Sequence, residues 1–452
     1  MNKISRKKFI ENCSYVTLGI LGLTNMLSAT DKGLSMLKKI LPIKNDPNGI
    51  LKLMEGFSYH ILSEKGEMMS DGLKVPDKAD GMASFQGKNG KIILIRNHEI
   101  GYFKTIENLL DANSFYKNEK YLEKHRSLIY DQGANGIPCC GGTTTMIYNP
   151  LSKKIETEYL SLAGTLINCS GGLTPWNTWI SCEETVELKG GYCAKDHGYN
   201  FEVIPSEKIQ LNKATPLKAM GRFRHEAIAI DPDTSIAYQT EDRDDGLIYR
   251  FIPKQKQEYI KGGRLQTLII ENIKENDTRN WNQQNFSVGK KYKIKWIDLK
   301  DIDNPKDDLR YRAANQGAAF FARPEGMWYD DNIVYFTCTS GGKKKLGQIW
   351  KINVTTNILE LMFESNHSDS MKACDNITIA PWGDVIVCED GRGKDRIIGI
   401  KNDGSTYMIA ENYLNNSEFA GANFSPDGKI LFVNIYSPTM TLAITGPWNK
   451  II

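Results

Sequence analysis

The sequence lacks three features that would narrow its function at once. Lys and Arg total 57 against 54 Asp and Glu, and a net charge of +3 is not the clustered basic excess of a general nucleic-acid-binding protein. Beyond the first 30 residues there is no run of 18 apolar residues, which argues against a membrane-embedded body. No two of the 9 cysteines have CxxC spacing, which weighs against a structural zinc site of the common type. Globular enzymes and binding domains remain.

Residues 1–29 differ in composition from the rest of the chain. The basic segment Arg6-Lys7-Lys8 precedes an uncharged, moderately apolar stretch over residues 12–29, an order typical of an export signal. It resembles a twin-arginine signal in which Lys7 replaces the second arginine, so a general secretory signal stays an alternative, as does an amphipathic surface helix. We interpret the segment as an export signal and predict a periplasmic or secreted protein. The segment carries the whole net charge, and the remainder of the chain is neutral overall.

One supersecondary pattern recurs six times in the remainder of the chain. A short β-like run leads through a turn rich in Pro, Asp, Asn and Gly to a second β-like run. The six turns are Lys88-Asn89-Gly90, Pro175-Trp176-Asn177, Asp231-Pro232-Asp233-Thr234, Asp330-Asp331-Asn332, Pro381-Trp382-Gly383-Asp384 and Ser425-Pro426-Asp427-Gly428. Repetition of one hairpin is typical of a β-propeller and less so of a β-sandwich. We therefore predict an all-β, six-bladed propeller over residues 30–452, with helical and loop insertions on its rim, one of them at residues 111–125.

Acidic residues recur in five of the six hairpins, at the end that lies away from the turn. The start of the first strand and the end of the second are adjacent there, because the two strands are antiparallel. If the first strands line the channel of a propeller, these acids meet at one mouth: Asp80, Glu99, Glu183, Glu184, Glu226, Glu241, Glu325, Asp375 and Glu389. So many carboxylates at close range require cations, and oxygen ligands suit Ca²⁺, Mg²⁺ or Fe³⁺. Arginines in the same segments suit metal-assisted chemistry on a phosphate ester.

Several segments, taken in order, resemble the PhoX family of alkaline phosphatases, which are exported bacterial phosphomonoesterases. The resemblance extends from about residue 71 to residue 445. It rests on Asp80-Gly81-Met82, Asn97-His98-Glu99, Gly141-Gly142-Thr143-Thr144-Thr145, the segment 168–176, Ser181-Cys182-Glu183-Glu184, the segment 221–227, Thr240-Glu241-Asp242-Arg243, Arg323-Pro324-Glu325-Gly326, Asp375-Asn376, Pro381-Trp382-Gly383-Asp384, Cys388-Glu389-Asp390-Gly391 and the segment 424–428. The resemblance independently implies a six-bladed propeller.

The resemblance also implies a metal site with two Fe³⁺ and three Ca²⁺ ions and one cysteine thiolate on iron. That cysteine is Cys169 or Cys182, and we favour Cys169 because the glycines that follow it let the backbone turn tightly. The other expected ligands are Glu99, Glu183, Glu184, Glu226, Glu241, Glu325, Asp375 and Glu389.

The implied reaction is hydrolysis of a phosphate monoester. We expect Glu241, Arg323 and Glu325 to be catalytic, and we expect Arg323 to bind the phosphate. The further residues expected to bind it are Asn97, Arg224 and Arg243. The expected partners are small-molecule phosphoesters and not nucleic acid, and we expect a monomer.

Two other hypotheses are compatible with the sequence. A Ca²⁺-dependent propeller lactonase, phosphodiesterase or phosphotriesterase would need only calcium and no thiolate, so iron content distinguishes it. A non-catalytic extracellular propeller that serves as a binding module would have no acids gathered at one end and would not hydrolyse p-nitrophenyl phosphate.

Overall fold

A computed structural model describes residues 41–101, 118–134, 136–273 and 276–451. The predicted export signal lies outside the described residues, as do residues 111–117 of the predicted rim insertion, whose remainder contains helix α1 (Glu119–His125). A second α-helix in the described residues, α2, spans Leu309–Ala314, and 3₁₀ turns occupy Lys88–Gly90, Lys218–Met220, Tyr259–Lys261 and Trp448–Lys450. Among the helices of the described residues, none has the length and apolar character that a membrane span requires.

The rest of the ordered structure consists of antiparallel strands. Three strands come first: β1 (Ile43–Asn45), β2 (Leu51–Met54) and β3 (Ser58–Glu64). Six units then follow in chain order, here called the first to the sixth unit. Their strands are β4 (Ala79–Gln86), β5 (Ile92–His98), β6 (Gly141–Asn149) and β7 (Lys154–Thr165); β8 (Asn168–Leu173), β9 (Trp179–Glu183) and β10 (Asn200–Val203); β11 (His225–Ile230), β12 (Ala237–Glu241), β13 (Ile248–Pro253), β14 (Gly263–Ile270) and β15 (Lys291–Asp298); β16 (Pro324–Asp330), β17 (Ile333–Cys338), β18 (Gln348–Asn353) and β19 (Ile358–Glu364); β20 (Cys374–Ile379), β21 (Val385–Glu389), β22 (Arg396–Ile400) and β23 (Thr406–Asn412); and β24 (Phe419–Phe424), β25 (Ile430–Ile435) and β26 (Met440–Thr445).

The first strands of the six units form a closed ring. Each of β4, β8, β11, β16, β20 and β24 contacts the next, and β24 contacts β4 again. The N-terminal strand β3 completes the sixth unit by pairing with β26, and β2 and β1 extend the fifth beyond β23. Pairing of β15 with β19 joins the third and fourth units into one sheet. The predicted all-β propeller architecture is confirmed.

The core lies between the faces of neighbouring units. Alternation along each strand gives both faces of a unit apolar side chains, which pack against the adjoining units. Between the third and fourth units, Trp350 is fully buried and meets the rings of Phe286 and Phe321 edge-on, with centroids 5.8 and 5.7 Å away. Its indole nitrogen donates to Gln348 Oε1 at 3.2 Å. The indole N–H of this buried side chain therefore has a hydrogen-bond acceptor, and its ring packs against two other rings.

We expect the stability of the core to be sensitive to truncation of Trp350. We expect Trp350→Ala to lower the free energy of unfolding by about 3–5 kcal/mol, because it leaves a large cavity. Urea denaturation followed by circular dichroism measures the change. Ile260→Ala, at a side chain that is mostly exposed, is the control and should change stability by less than about 0.5 kcal/mol. Equal effects of the two substitutions would contradict this account of the core.

Candidate functional site

The hairpin ends of the six units present three recurring positions at one mouth of the channel. The lead position precedes the first strand, the bulge position opens a β-bulge in the first strand, and the strand-end position follows the second strand. In every unit the strand-end N–H donates to the lead carbonyl over 2.8–3.3 Å. The pairs, strand-end residue first, are Glu99 and Lys78, Glu184 and Ile167, Asp242 and Arg224, Thr339 and Arg323, Asp390 and Ala373, and Tyr436 and Glu418.

The bulge arises in the same way in each unit, because two residues of the first strand lie opposite one residue of the second. In the first unit Ala79 pairs with His98 and Met82 with Arg96, which leaves Asp80 and Gly81 opposite Asn97. Such a bulge re-aims a side chain that regular alternation would send elsewhere. The bulge positions are Asp80, Cys169, Glu226, Glu325, Asp375 and Gly421. The sixth unit has one further residue pair before its bulge.

Five of the six bulge positions carry a side chain that can bind a metal, and all five are buried. The exception, Gly421, adopts φ +65°, and a Cβ there would lie 2.4 Å from the carbonyl oxygen of Asp80. Only glycine fits this position, because the two backbones approach too closely for a side chain. The ring of potential ligands is therefore open at the sixth unit.

Cys169 lies where two groups of potential ligand atoms meet. Its sulfur lies with carboxylate oxygens of Asp80 and Glu99 in a set of atoms within 4.8 Å of one another, and it forms a second such set with Glu184 and Glu226. The thiol donates to Glu226 Oε1 at 3.1 Å. Among the described residues, Asp80 Oδ1 is buried without a hydrogen-bond partner. A buried carboxylate oxygen without a hydrogen-bond partner is suited to bind a cation.

The electrostatics of the mouth also indicate bound cations. Burial raises the pKa of Asp80 well above its ordinary value, and the neighbouring Glu99 and Asp375 raise it further. The pKa of Glu226 is raised by burial and by Glu184, and that of Asp375 rises to about 6, chiefly through burial. The same direction holds for Glu325 and for Glu418, the lead residue of the sixth unit. Cations would allow these groups to ionise together.

Two arginines occupy lead positions beside the acids. Arg323 donates from Nε and Nη2 to the two oxygens of Asp242 at 3.0 and 3.1 Å and also pairs with Glu325. Arg224 donates from Nη2 to Glu184 Oε1 and from Nε to the backbone carbonyl of Glu184 at 3.4 Å. The side chains of Arg323 and Arg224 are 34% and 32% exposed, and in the described part of the chain neither Nη1 has a hydrogen-bond partner. Each guanidinium is thus fixed along one edge and keeps another edge for an anion.

Arg323 adopts φ +49°, although it is not glycine and precedes Pro324. Lys78, Ile167 and Ala373 adopt positive φ at the same position of other units. Such a conformation costs about 1–3 kcal/mol and persists where the surrounding structure requires it. Here the hydrogen bond from the strand-end residue holds the turn, so the conformation belongs to the repeated architecture of the mouth.

Three predicted ligands lie in β-strands one residue before the strand-end position, and their carboxylates have other partners. Glu183 accepts four hydrogen bonds, among them one of 2.6 Å with His197 Nδ1. Glu241 accepts from Tyr249 at 2.8 Å, and Glu389 accepts from Arg396 through both oxygens at 2.6 and 2.7 Å. The structure thus places these three outside the ring, while it brings together Cys169, Glu99, Glu184, Glu226, Glu325 and Asp375.

Other predicted site residues have structural partners. Asn97 is fully buried and donates to the carbonyls of Cys169 and Ser170 at 3.1 and 2.6 Å, so it fixes the bulge of the neighbouring unit. Arg243 pairs with Asp307 at 2.7 Å. Cys182 packs in the apolar cluster between the second and third units.

The prediction from sequence omitted three acids of the mouth, namely Asp242, Asp390 and Glu418. The first two follow a glutamate in the doublets Glu241-Asp242 and Glu389-Asp390. Side chains alternate along a strand, so one member of each doublet faces the channel, and the strand end determines which. For Glu418 the position directly before the first strand of the sixth hairpin was the available signal.

Comparison with known proteins assigns the family. A family model described as alkaline phosphatase PhoX matches residues 39–439. The chain belongs to the PhoX alkaline phosphatase family. It is a phosphatase. No curated protein sequence matches the chain.

One solved structure supports this fold, and a second is more distant. PhoX from Pseudomonas fluorescens, determined with vanadate as a transition-state analogue, has a TM-score of 0.63 and 17% identity, with 90% of this chain and 97% of that chain covered. XC5397 from Xanthomonas campestris, described as a gluconolactonase, has a TM-score of 0.43 and 8% identity, with 90% of this chain and 97% of that chain covered. The match to the PhoX structure shows that the two chains share a fold.

Proposed function

We propose that this phosphatase hydrolyses phosphate monoesters at the mouth formed by the lead, bulge and strand-end positions. The observation that carries the proposal is the recurrence of metal-ligating side chains at five equivalent bulge positions, next to two partly exposed arginines. The arrangement combines cation ligands with guanidinium groups, which is what recognition of a phosphate requires.

The residues at the mouth suit a mixed set of iron and calcium ions. Cys169 supplies a soft thiolate ligand for iron, and the surrounding carboxylates supply the hard oxygen ligands that calcium and ferric iron prefer. We propose as ligands Asp80, Glu99, Cys169, Glu184, Glu226, Glu325 and Asp375, for the expected two Fe³⁺ and three Ca²⁺ ions. When bound, such ions neutralise the carboxylates and polarise phosphoryl oxygens.

The chain's own contribution to the reaction is to bind and orient the phosphate. Arg323 and Arg224 would each donate from the free edge of the guanidinium to phosphate oxygens. Asp242 and Glu325 fix the position of Arg323, and Glu184 fixes that of Arg224, so little conformational entropy is lost on binding. Asn97 positions Cys169 through the backbone, which differs from the direct phosphate contact expected from the sequence. We also propose export to the periplasm or the medium through residues 1–29.

Removal of metals tests the proposal. We expect a chelator to abolish hydrolysis of p-nitrophenyl phosphate and to lower Tm, because ions that bind only the folded state stabilise it by RT ln(1 + [L]/Kd), about 2.7 kcal/mol at 100 times Kd. Elemental analysis of the native protein should find both iron and calcium, and readdition should restore activity and Tm. Hydrolysis of bis(p-nitrophenyl) phosphate in parallel measures the preference for monoesters. Full activity in metal-stripped protein would contradict the proposal, and calcium without iron would favour the calcium-dependent phosphodiesterase or phosphotriesterase alternative.

A further inference from the structure

A second group of metal-ligating side chains lies between a loop of the first unit and a loop of the second unit, apart from the ring of acids. Asp131 and Cys139 come from the segment between α1 and β6, and Cys193 and His197 come from the connection between β9 and β10. All four are buried, and one ligand atom of each lies within 4.8 Å of the others. Apart from isolated bridges, the described residues of both segments form no regular strand or helix. Scattered backbone hydrogen bonds, such as the one from Ala134 N–H to the Tyr192 carbonyl at 2.7 Å, connect them instead of a continuous ladder.

The contacts of His197 require an explanation. Its Nδ1 lies 2.6 Å from Glu183 Oε1, and its Nε2 lies 3.1 Å from Asp131 Oδ2. A neutral imidazole has one N–H, so it cannot donate to both carboxylates. Either the ring carries a second proton, or a cation lies at Nε2. Burial lowers the pKa of His197. The two carboxylates, Glu183 and Asp131, outweigh this effect and raise the pKa to about 12, so they favour the charged imidazolium.

The two thiols favour the cation. Cys139 Sγ and Cys193 Sγ are 3.9 Å apart, whereas a disulfide requires about 2.05 Å. Zinc–sulfur bonds of about 2.3 Å at a tetrahedral angle place two sulfurs about 3.8 Å apart. A tetrahedral zinc ion bonded to nitrogen and oxygen would place these two ligand atoms about 3.4 Å apart. His197 Nε2 and Asp131 Oδ2 are 3.1 Å apart, which is close to that separation.

We propose that Asp131, Cys139, Cys193 and His197 bind one structural Zn²⁺. The two thiols would lose their protons to solvent as the ion binds, and four protein ligands would close the coordination sphere. Glu183 would accept from Nδ1–H of His197 and thereby direct Nε2 at the ion, the carboxylate–histidine–metal arrangement common at zinc sites. Glu183 then acts in this site and not as a ligand at the channel mouth. The ion would join two loops whose cysteines are 54 residues apart.

Cobalt substitution tests the site in full-length protein. Cys169→Ser removes the thiolate of the channel mouth, so any thiolate–cobalt absorption in this background arises elsewhere. We expect Co²⁺-loaded Cys169→Ser to show thiolate-to-cobalt charge transfer and the visible bands of a tetrahedral ion. Adding Cys139→Ser should remove both signals. Adding Cys338→Ser, at a buried cysteine of the fourth unit, is the matched control and should leave them unchanged. Loss of signal with Cys338→Ser, or no signal in the background variant, would overturn the proposal.

Measurements on the unmodified chain keep the test valid where a variant fails to fold. After washing with excess Ca²⁺, which competes for oxygen ligands but poorly for thiolates, we expect about one zinc per chain. Unfolding with a chelator and without reductant should then allow iodoacetamide to label both Cys139 and Cys193. Protection of both would show a disulfide, and labelling without bound zinc would leave a protonated His197 as the explanation, so either result overturns the proposal. Glu183→Gln should weaken zinc binding about 10–100-fold in competition with a chromophoric chelator.

Discussion

Glu226→Gln is expected to lower kcat/KM for p-nitrophenyl phosphate by about 10³-fold. Glu226 occupies the bulge position of the third unit, and its oxygen lies within 4.8 Å of the ligand atoms of Cys169 and Glu184. Glutamine keeps the size of the side chain and removes the charge, so cations bind more weakly. Loss of metal-assisted charge stabilisation amounts to several kcal/mol, and about 1.36 kcal/mol corresponds to each tenfold change in rate. Steady-state kinetics and elemental analysis of the purified variant measure both effects.

The same substitution should change stability in opposite directions with and without metal. In chelated protein at neutral pH we expect Glu226→Gln to raise Tm, because the pKa of this buried carboxyl is raised and its ionised form is unfavourable in the folded state. With ions bound, the wild type should be the more stable. The control is Glu360→Gln, at an acid on β19 that pairs with Lys351 at 3.0 Å, and it should leave kinetics and metal content unchanged. Normal metal content in Glu226→Gln, or a lower Tm in both conditions, would contradict the assignment.

The hairpins could be predicted because their determinants are local. Turn residues set each reversal and alternation sets the register, so Phe85 pairs with Ile93 and Tyr329 with Val334 across predicted turns. Closure of the ring is not local. Strand β3 pairs with β26 through contacts such as Ser58 with Thr445, and no short-range pattern specifies this pairing. The outer strands are placed by packing against neighbouring units.

The site could be predicted as a region but not in each of its ligands. The hairpin pattern places the acids of five hairpins at one end, and in the structure acids of these hairpins lie together at one mouth of the channel. It does not reveal which member of a doublet such as Glu389-Asp390 faces the channel, because a bulge in the partner strand changes the alternation. The proposed zinc site was missed for a related reason. Absence of CxxC spacing excludes only ligands close in sequence, and here the fold joins Cys139 to Cys193.

Arg323→Ala is expected to lower kcat/KM for phosphate monoesters by about 10²–10³-fold, the usual effect of removing one donor that stabilises developing negative charge. The prediction rests on the position of Arg323 at the mouth, where Asp242 and Glu325 hold one edge of the guanidinium and leave Nη1 free. Arg323→Lys should recover only part of the activity, because an ammonium group cannot donate along two edges in a fixed plane.

Metal content separates this role from that of the ligands. Arg323→Ala should retain the iron and calcium of the wild type, so a loss of activity at constant metal content would identify a phosphate contact. Arg264→Ala, at an exposed arginine on β14 that pairs with Asp298 at 3.2 Å, is the matched control and should leave kcat/KM unchanged. Inhibition by inorganic phosphate gives a second measurement, since loss of a phosphate contact must raise the inhibition constant. If Arg323→Ala keeps that constant and loses metal, Arg323 instead balances the charge of Asp242 and Glu325.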